Sequence, residues 1–219
     1  MALATPTKHD TTTPNPRFAR IPDEGTIQRT AAALIAKGYE VHLADDADEA
    51  KRLVLGLLPE GAEVGEGASV TLDEIGVTAA IEESGRYDAV RPRTRAMDRT
   101  TPEGVRAMRK LSVVPDYHLN SAHAVTEDGR IVIVSNTGSQ LGPVVFGAGT
   151  VIFAIGVQKI VPDLETALQR IEEYTLPLEN VRMQGIYGVD SAVNKILIVN
   201  KEFRPGRFAV VLIREAIGF

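Results

Sequence analysis

The 219-residue sequence has a net charge of −5, an apolar content of 44% and neither cysteine nor tryptophan. Without cysteine, the chain cannot supply a disulfide, a thiolate zinc site, a cysteine nucleophile or the ligands of an iron–sulfur cluster. Basic residues are dispersed among acids, and no apolar run approaches the roughly 18 residues of a membrane span, so neither nucleic-acid binding nor membrane insertion is predicted. We expect a cytoplasmic protein with one domain at residues 21–219, after a flexible tail at residues 1–20.

The first half of the chain alternates between helical and strand patterns. Helical spacing of apolar residues, capping residues and short alternating runs locate the elements. In chain order they are a helix between Asp23 and Gly38, a strand at residues 39–43, a helix opened by a capping box at Asp46 and Glu49, strands at 62–65 and 87–90, and a helix at 101–111.

A loop rich in glycine and hydroxyl groups follows the strand at residues 62–65. Its Ser69 and Thr71 offer hydroxyls ahead of a short helix, and glycines allow the backbone to approach a ligand closely. This pattern predicts a ligand-binding loop, although a helix cap at Ser69 with the glycines in a turn is the more common origin of such a pattern.

Four arginines between Arg91 and Arg99 form the one basic cluster of the sequence. They could bind a phosphate or carboxylate, but a solvated surface or salt bridges at a subunit interface are the more common roles of such a run. No aromatic residue lies between them, so a base-stacking surface is not predicted.

Asp128-Gly129 separates two β-rich runs, residues 117–126 and 130–135, and predicts an antiparallel hairpin. Period-two alternation would place Ser121 and His123 on the same strand face. The second run is continuously apolar from Ile131 to Val134, which is typical of a buried strand.

A polar turn from Ser135 to Gly142 follows that buried strand, ahead of a predicted short helix at 141–146. Free backbone N–H groups in such a turn favour anion binding, although many similar turns only connect elements. We predict a ligand site here, formed by Asn136, Thr137, Gly138, Ser139 and Gln140.

The last third contains a strand at residues 150–155, a helix that begins at Pro162 and has an apolar face from Leu164 to Tyr174, and strands at 195–199 and 207–213. Lys159 is predicted to lie just ahead of that helix, where a lysine and the helix dipole together favour an anion, unless its side chain is simply solvated.

Four segments in register resemble the LUD (lactate utilization) domain family, whose short single-domain members are called lactate utilization protein C. They are residues 69–76 (SVTLDEIG), 121–129 (SAHAVTEDG), 137–141 (TGSQL) and 157–164 (VQKIVPDL). The resemblance implies an α/β fold of the NagB/RpiA/CoA-transferase-like kind, a mixed, largely parallel sheet with helices on both faces.

The resemblance also implies a role in bacterial L-lactate utilization beside partner proteins that carry iron–sulfur clusters. Related folds bind sugar phosphates, CoA esters or folates. One hypothesis is therefore an accessory, ligand-binding component that holds a small anion with the two loops and Lys159. A second is an enzyme resembling CoA-transferases or sugar isomerases, and a third is an interaction protein without ligand chemistry.

Glu74, His123 and Glu127 are the catalytic candidates for the enzyme hypothesis, as nucleophile or general base. The four histidines are dispersed without metal-ligand spacing, so no metal and no cofactor are predicted on this chain. Pairing of sheet edges into a homodimer is the default expectation for assembly.

Overall fold

The computed structural model describes residues 13–219. Its α-helices are α1 (Glu24–Ala36), α2 (Ala47–Gly56), α3 (Val70–Glu74), α4 (Val77–Glu83), α5 (Val90–Arg95), α6 (Pro102–Val113), α7 (Leu164–Arg170) and α8 (Leu176–Tyr187). Its strands are β1 (Glu40–Ala44), β2 (Glu63–Glu66), β3 (Asp88–Ala89), β4 (Tyr117–Asn120), β5 (Ala124–Thr126), β6 (Ile131–Ser135), β7 (Thr150–Gly156), β8 (Ile160–Val161), β9 (Lys195–Val199) and β10 (Phe208–Ile213).

Helix boundaries follow local capping chemistry. The Asp23 carboxylate accepts a hydrogen bond from the Thr26 N–H at the start of α1, and Asp46 accepts one from the Glu49 N–H at the start of α2. Each bond satisfies an N–H that the first turn of a helix leaves without a partner. Both caps were predicted, and both are confirmed.

Six parallel strands form the main sheet, in the order β1-β10-β7-β4-β2-β3. Strands β7 and β10 lie at its centre and are almost entirely buried, as expected for a sheet covered on both faces. The predicted α/β class with a largely parallel sheet is confirmed. Because the strands run in one direction, their carboxyl ends share one edge, which is the usual ligand-binding edge of such sheets.

The antiparallel pair belongs to a second sheet of four strands, in the order β8-β5-β6-β9. The predicted hairpin is confirmed for β5 and β6, where Gly129 has a φ of 84° and lies against the backbone of α1. The prediction of a single strand over residues 117–126 is wrong, because β4 pairs with β2 and β7 in the main sheet.

The chain crosses between the two sheets at Ser121-Ala122-His123, which has no strand geometry. The prediction that Ser121 and His123 share a strand face is therefore wrong as well. The two last strands also separate: β9 pairs with β6, whereas β10 lies between β1 and β7. The breaks between β4 and β5 and between β9 and β10 therefore mark changes of sheet.

Three apolar clusters hold the layers together. Helices α2, α3 and α4 cover one face of the main sheet, and α1 together with the second sheet covers the other. The far face of the second sheet packs on α7. The second sheet is therefore packed against apolar side chains on both faces. Each fully buried Leu, Ile or Phe side chain contributes about 1.5–3 kcal/mol to the free energy of folding relative to an exposed one.

Part of the predicted tail is packed. Residues 1–12 lie outside the described residues, but Pro16–Ala19 forms a 3₁₀-helix whose Phe18 is 5% exposed against the cluster under α7. The Asn15 N–H donates to the Glu173 carbonyl. The prediction of a flexible tail through residue 20 is therefore wrong for Pro16–Ala19. Burial of the Phe18 side chain holds this segment against the rest of the fold. No helix within residues 13–219 is long and apolar enough to cross a membrane.

The arginine cluster is engaged within the chain. Arg93 forms ion pairs with Glu63 and Asp88, and Arg91 and Arg95 both pair with Glu82. These pairs attach α5 to β2, β3 and α4, and most of them are solvent-exposed, where each is worth about 0–1 kcal/mol.

Candidate functional site

A cavity of about 230 Å³ lies where the carboxyl ends of β2 and β4 meet the end of β6. The loop before α3, the crossing segment 120–123 and the turn after β6 form its walls, and α8 closes it from the other side. Of the predicted ligand residues, the structure brings together Ser69, Thr71, Asn136, Thr137, Ser139, Gln140 and Lys159. The predicted Gly138 is not among the lining residues.

Lys159 and Thr71 are the most deeply buried of these residues, each with 1% of its surface exposed. The Lys159 Nζ donates to Thr71 Oγ1 at 2.8 Å and to Ser121 Oγ at 3.2 Å. The two hydroxyls come from α3 and from the crossing segment, so the amine joins both sides of the cavity floor. Within residues 13–219 it forms no ion pair with a carboxylate.

The reason given from sequence for a site at Lys159 is wrong. Helix α7 begins at Leu164 with Asp163 as its cap, and Pro162 precedes the helix. Lys159 itself ends a short 3₁₀-helix after β7. Strand β8 therefore separates Lys159 from the start of α7, and the surroundings of the amine are set by burial and by the hydroxyls of Thr71 and Ser121.

Arg170 is a second buried basic residue beside the cavity, with no exposed surface. Its Nη1 donates to the His123 carbonyl oxygen and to Thr175 Oγ1, and its guanidinium lies 5.1 Å from the centre of the Tyr174 ring. The Nε and Nη2 groups have no hydrogen-bond partner in the described part of the chain. Arg170 thus holds the crossing segment, while no counter-ion for its charge lies among residues 13–219.

Burial and mutual repulsion shift the titration of the basic groups. Burial, and then the charge of Arg170, holds the pKa of Lys159 well below its ordinary value, and Glu74 opposes the shift only in part. Burial lowers the pKa of Arg170 to about 10. A desolvated cation without a counter-ion favours its neutral form, so the lysine amine gives up its proton far more readily than the guanidinium does.

His123 lines the cavity in its neutral form. Burial, with smaller contributions from Lys159 and Arg170, lowers the pKa of His123 to about 3. Its Nδ1 accepts a hydrogen bond from the Val134 N–H at 3.2 Å, which leaves the ring proton on Nε2. A neutral imidazole fixed in this way offers an N–H donor to a ligand.

The turn after β6 uses its own backbone donors. The Gly138 N–H donates to Ser135 Oγ, the Ser139 N–H to Thr137 Oγ1, and the Leu141 N–H to the Gly138 carbonyl oxygen. The prediction of an anion cradle made of free N–H groups is wrong for these three donors. The turn contributes side chains to the cavity wall instead.

Close packing fixes the amides beside this turn. A Cβ at Gly67 would lie 2.7 Å from Asn120 Oδ1 and 3.1 Å from Gln140 Oε1, so only glycine fits there without displacing both amides. The Gln140 Nε2 donates to the Val134 carbonyl oxygen. Asn120 is 2% exposed, lines the cavity, and has an Nδ2 without a hydrogen-bond partner among the residues described.

The two carboxylates predicted for catalysis lie outside the cavity lining. Glu74 is exposed and accepts a hydrogen bond from the Gly218 N–H at 2.6 Å. Glu127 follows β5 beside the hairpin turn. Its Oε2 lies 3.8 Å from Arg29 Nη2 on the surface. Glu179 of α8 lines the cavity, but Arg182 binds both of its oxygens at 2.7 Å.

The C-terminal segment covers another side of the site. The Gln158 Nε2 donates to the carbonyl oxygens of Ile217 and Gly218, and Phe219 lines the cavity. Gln158 and Glu74 therefore position this segment next to Lys159.

Several residues of the site were missed at the sequence level, namely Asn120, Ser121, Arg170, Glu179 and Arg182. A signal existed for Arg170, because it lies three residues after Ala167 and four before Tyr174 on the apolar face of the predicted helix. A basic residue on such a face indicates a buried cation. No local signal pointed to α8.

No cluster of three or more histidine or acidic residues suited to a metal ion occurs within residues 13–219. The donors around the cavity are an amine, amides, an imidazole, hydroxyls and the guanidinium of Arg182, which is paired with Glu179. They are suited to binding an anion or a carbonyl oxygen.

Residues 27–213 match the LUD domain. The chain belongs to the LUD domain family. A search of curated proteins found no match.

Among solved structures, the LUD domain chain is similar to a DUF162 family protein from Deinococcus radiodurans, with a TM-score of 0.56 and 10% identity over 89% of this chain and 99% of that one. At that identity the similarity shows the fold alone. Another match is eIF2B beta from Chaetomium thermophilum, with a TM-score of 0.25 and 14% identity over 64% of this chain and 44% of that one. That value is too low to support an argument.

Proposed function

We propose that this LUD domain protein is an accessory component of bacterial L-lactate utilization that binds a small anionic metabolite in the cavity at Lys159. The observation that carries the proposal is the pair of buried basic side chains, Lys159 and Arg170, neither of which forms an ion pair in residues 13–219. A bound anion would place a negative charge beside Lys159, which lines the cavity, and would relieve the unfavourable burial of this amine in its charged form.

The size of the cavity favours a small ligand. At about 230 Å³ it is smaller than the range of about 300–1,000 Å³ that is typical of drug-sized ligands. A hydroxy or oxo acid of a few carbon atoms fits this volume, whereas a CoA ester would have to extend well outside it. The enzyme alternative based on Glu74 or Glu127 gains no support, because neither carboxylate lines the cavity.

A thermal-shift measurement tests the ligand part of the proposal. We expect L-lactate or pyruvate to raise the melting temperature, and uncharged lactamide, which matches lactate in size, to leave it unchanged. At about 100 times the dissociation constant a ligand stabilises by about 2.7 kcal/mol, which for a chain of this size is a shift of about 5–10 °C. Ribose 5-phosphate, CoA and folates complete the series. No shift with any anion would contradict the proposal.

Association with iron–sulfur proteins is the second part of the proposal. This chain has no cysteine, so a cluster in the proposed system must be held by another protein. We expect the tagged protein to co-purify, from lactate-grown cells, with a cysteine-rich protein that shows iron–sulfur absorbance. Full lactate oxidation by the isolated chain, with no such protein retained, would contradict the accessory role.

A further inference from the structure

The amine of Lys159 differs in its contacts from an ordinary structural lysine. A structural buried lysine normally pairs with a carboxylate, whereas both contacts of this Nζ are hydroxyls, Thr71 Oγ1 and Ser121 Oγ. Arg170, which is equally buried, bonds a backbone carbonyl and stacks on Tyr174, and so has an evident structural role. Lys159 bonds two side-chain hydroxyls and no backbone group within residues 13–219, and it lines the cavity.

The surroundings of Lys159 favour the neutral amine. Burial and the charge of Arg170 lower its pKa, the carboxylate of Glu74 opposes this shift only in part, and Nζ forms no ion pair within residues 13–219. An unprotonated amine carries a free lone pair, and desolvation of this kind is how lysines that form Schiff bases are activated.

We propose that Lys159 forms an imine with the carbonyl carbon of a small oxo acid bound in the cavity. This inference rests on the proposed function and specifies the class of ligand. The Nζ lone pair attacks the carbonyl carbon, and a proton moves from nitrogen to the former carbonyl oxygen to give a carbinolamine. The second proton of the nitrogen then passes to this hydroxyl group, the carbon–oxygen bond breaks and water leaves. Amine and carbonyl are converted to imine and water, and no oxidant or reductant is consumed.

Groups around Lys159 suit these steps. Thr71 Oγ1 and Ser121 Oγ already share hydrogen bonds with Nζ, so they can pass protons during addition and loss of water. The Asn120 Nδ2, buried and without a partner in residues 13–219, is a donor for a ligand oxygen. His123 adds a neutral Nε2–H at the cavity wall.

Reductive trapping tests the inference. The full chain is incubated with pyruvate and sodium cyanoborohydride at neutral pH, digested, and mapped by mass spectrometry. We expect one adduct, on the peptide that contains Lys159. The adduct should be lost in Lys159→Arg and retained in Lys201→Arg, which changes an exposed lysine outside the cavity. Mapping of the wild-type protein decides the question even if Lys159→Arg folds poorly.

An adduct that is absent, or spread evenly over exposed lysines, would overturn the imine. L-lactate has no carbonyl at the position of the oxo group, so its effect separates this inference from the proposed function. Stabilisation by L-lactate without trapping by pyruvate would refute the imine and leave anion binding intact. Neither stabilisation nor trapping would refute both.

Discussion

Replacing Lys159 with methionine is expected to weaken binding of L-lactate by about 10- to 100-fold, because a hydrogen bond to a charged group is worth about 1.5–3 kcal/mol. Methionine keeps most of the length and apolar character of the side chain but has no amine. Since Nζ joins Thr71 and Ser121 at the cavity floor, its loss also leaves two hydroxyls without their donor. Isothermal titration calorimetry measures the change in affinity.

Proton uptake provides an independent readout of the same substitution. The pKa of Lys159 is low in the empty cavity, and a carboxylate placed beside the amine raises it. Between those two pKa values the complex holds one proton more than the free protein, so binding takes up a proton. Titrations in buffers with different ionisation enthalpies should show uptake for the wild type and for Lys201→Met, but none for Lys159→Met. If Lys159→Met bound L-lactate as tightly as the wild type and still took up a proton, Lys159 would not be the group that binds the carboxylate.

Replacing Arg170 with alanine is expected to lower the free energy of unfolding by about 2–5 kcal/mol. The change empties the space of one of the largest fully buried side chains. It also leaves the His123 carbonyl oxygen and Thr175 Oγ1 without their donor. Because His123 lies in the crossing segment, the loss should loosen the cavity wall together with the contact between α7 and the second sheet.

Urea denaturation followed by circular dichroism measures this loss of stability. Arg109→Ala on α6 is the matched control, since Arg109 is exposed and a surface substitution typically changes stability by less than about 0.5 kcal/mol. If Arg170→Ala unfolded at the same urea concentration as Arg109→Ala, the guanidinium would not be a structural tie, and the argument from its contacts would fail.

The sequence located most elements because their signals are local. The caps at Asp23 and Asp46 bond N–H groups within three residues, and the buried strand at 131–134 is visible from its own apolar run. Strand pairing is not local. A period-two pattern shows which residues share a face but not which strand lies alongside, so the run at 117–126 was read as one strand although its halves belong to different sheets.

The sequence predicted the position of the site, but two of the chemical reasons for that prediction are wrong. The turn at 135–142 borders the cavity, yet its N–H groups at 138, 139 and 141 are used within the turn. Glu74 and Glu127 carried the right chemistry for a base, but Glu74 bonds the C-terminal segment and Glu127 lies on the surface. Sequence spacing cannot show whether a polar side chain meets a cavity or a neighbouring backbone group.

By itself the sequence determined the α/β class, the order of the elements, the absence of cysteine chemistry and the resemblance to the LUD domain. These depend on residue types, on spacing within one element and on motifs in register. Only the tertiary structure decided that strands from two sheets enclose one cavity, and that Lys159 is buried in it beside Arg170. Burial and the lack of a counter-ion arise from residues far apart in the chain, and these two conditions give the lysine amine its chemistry.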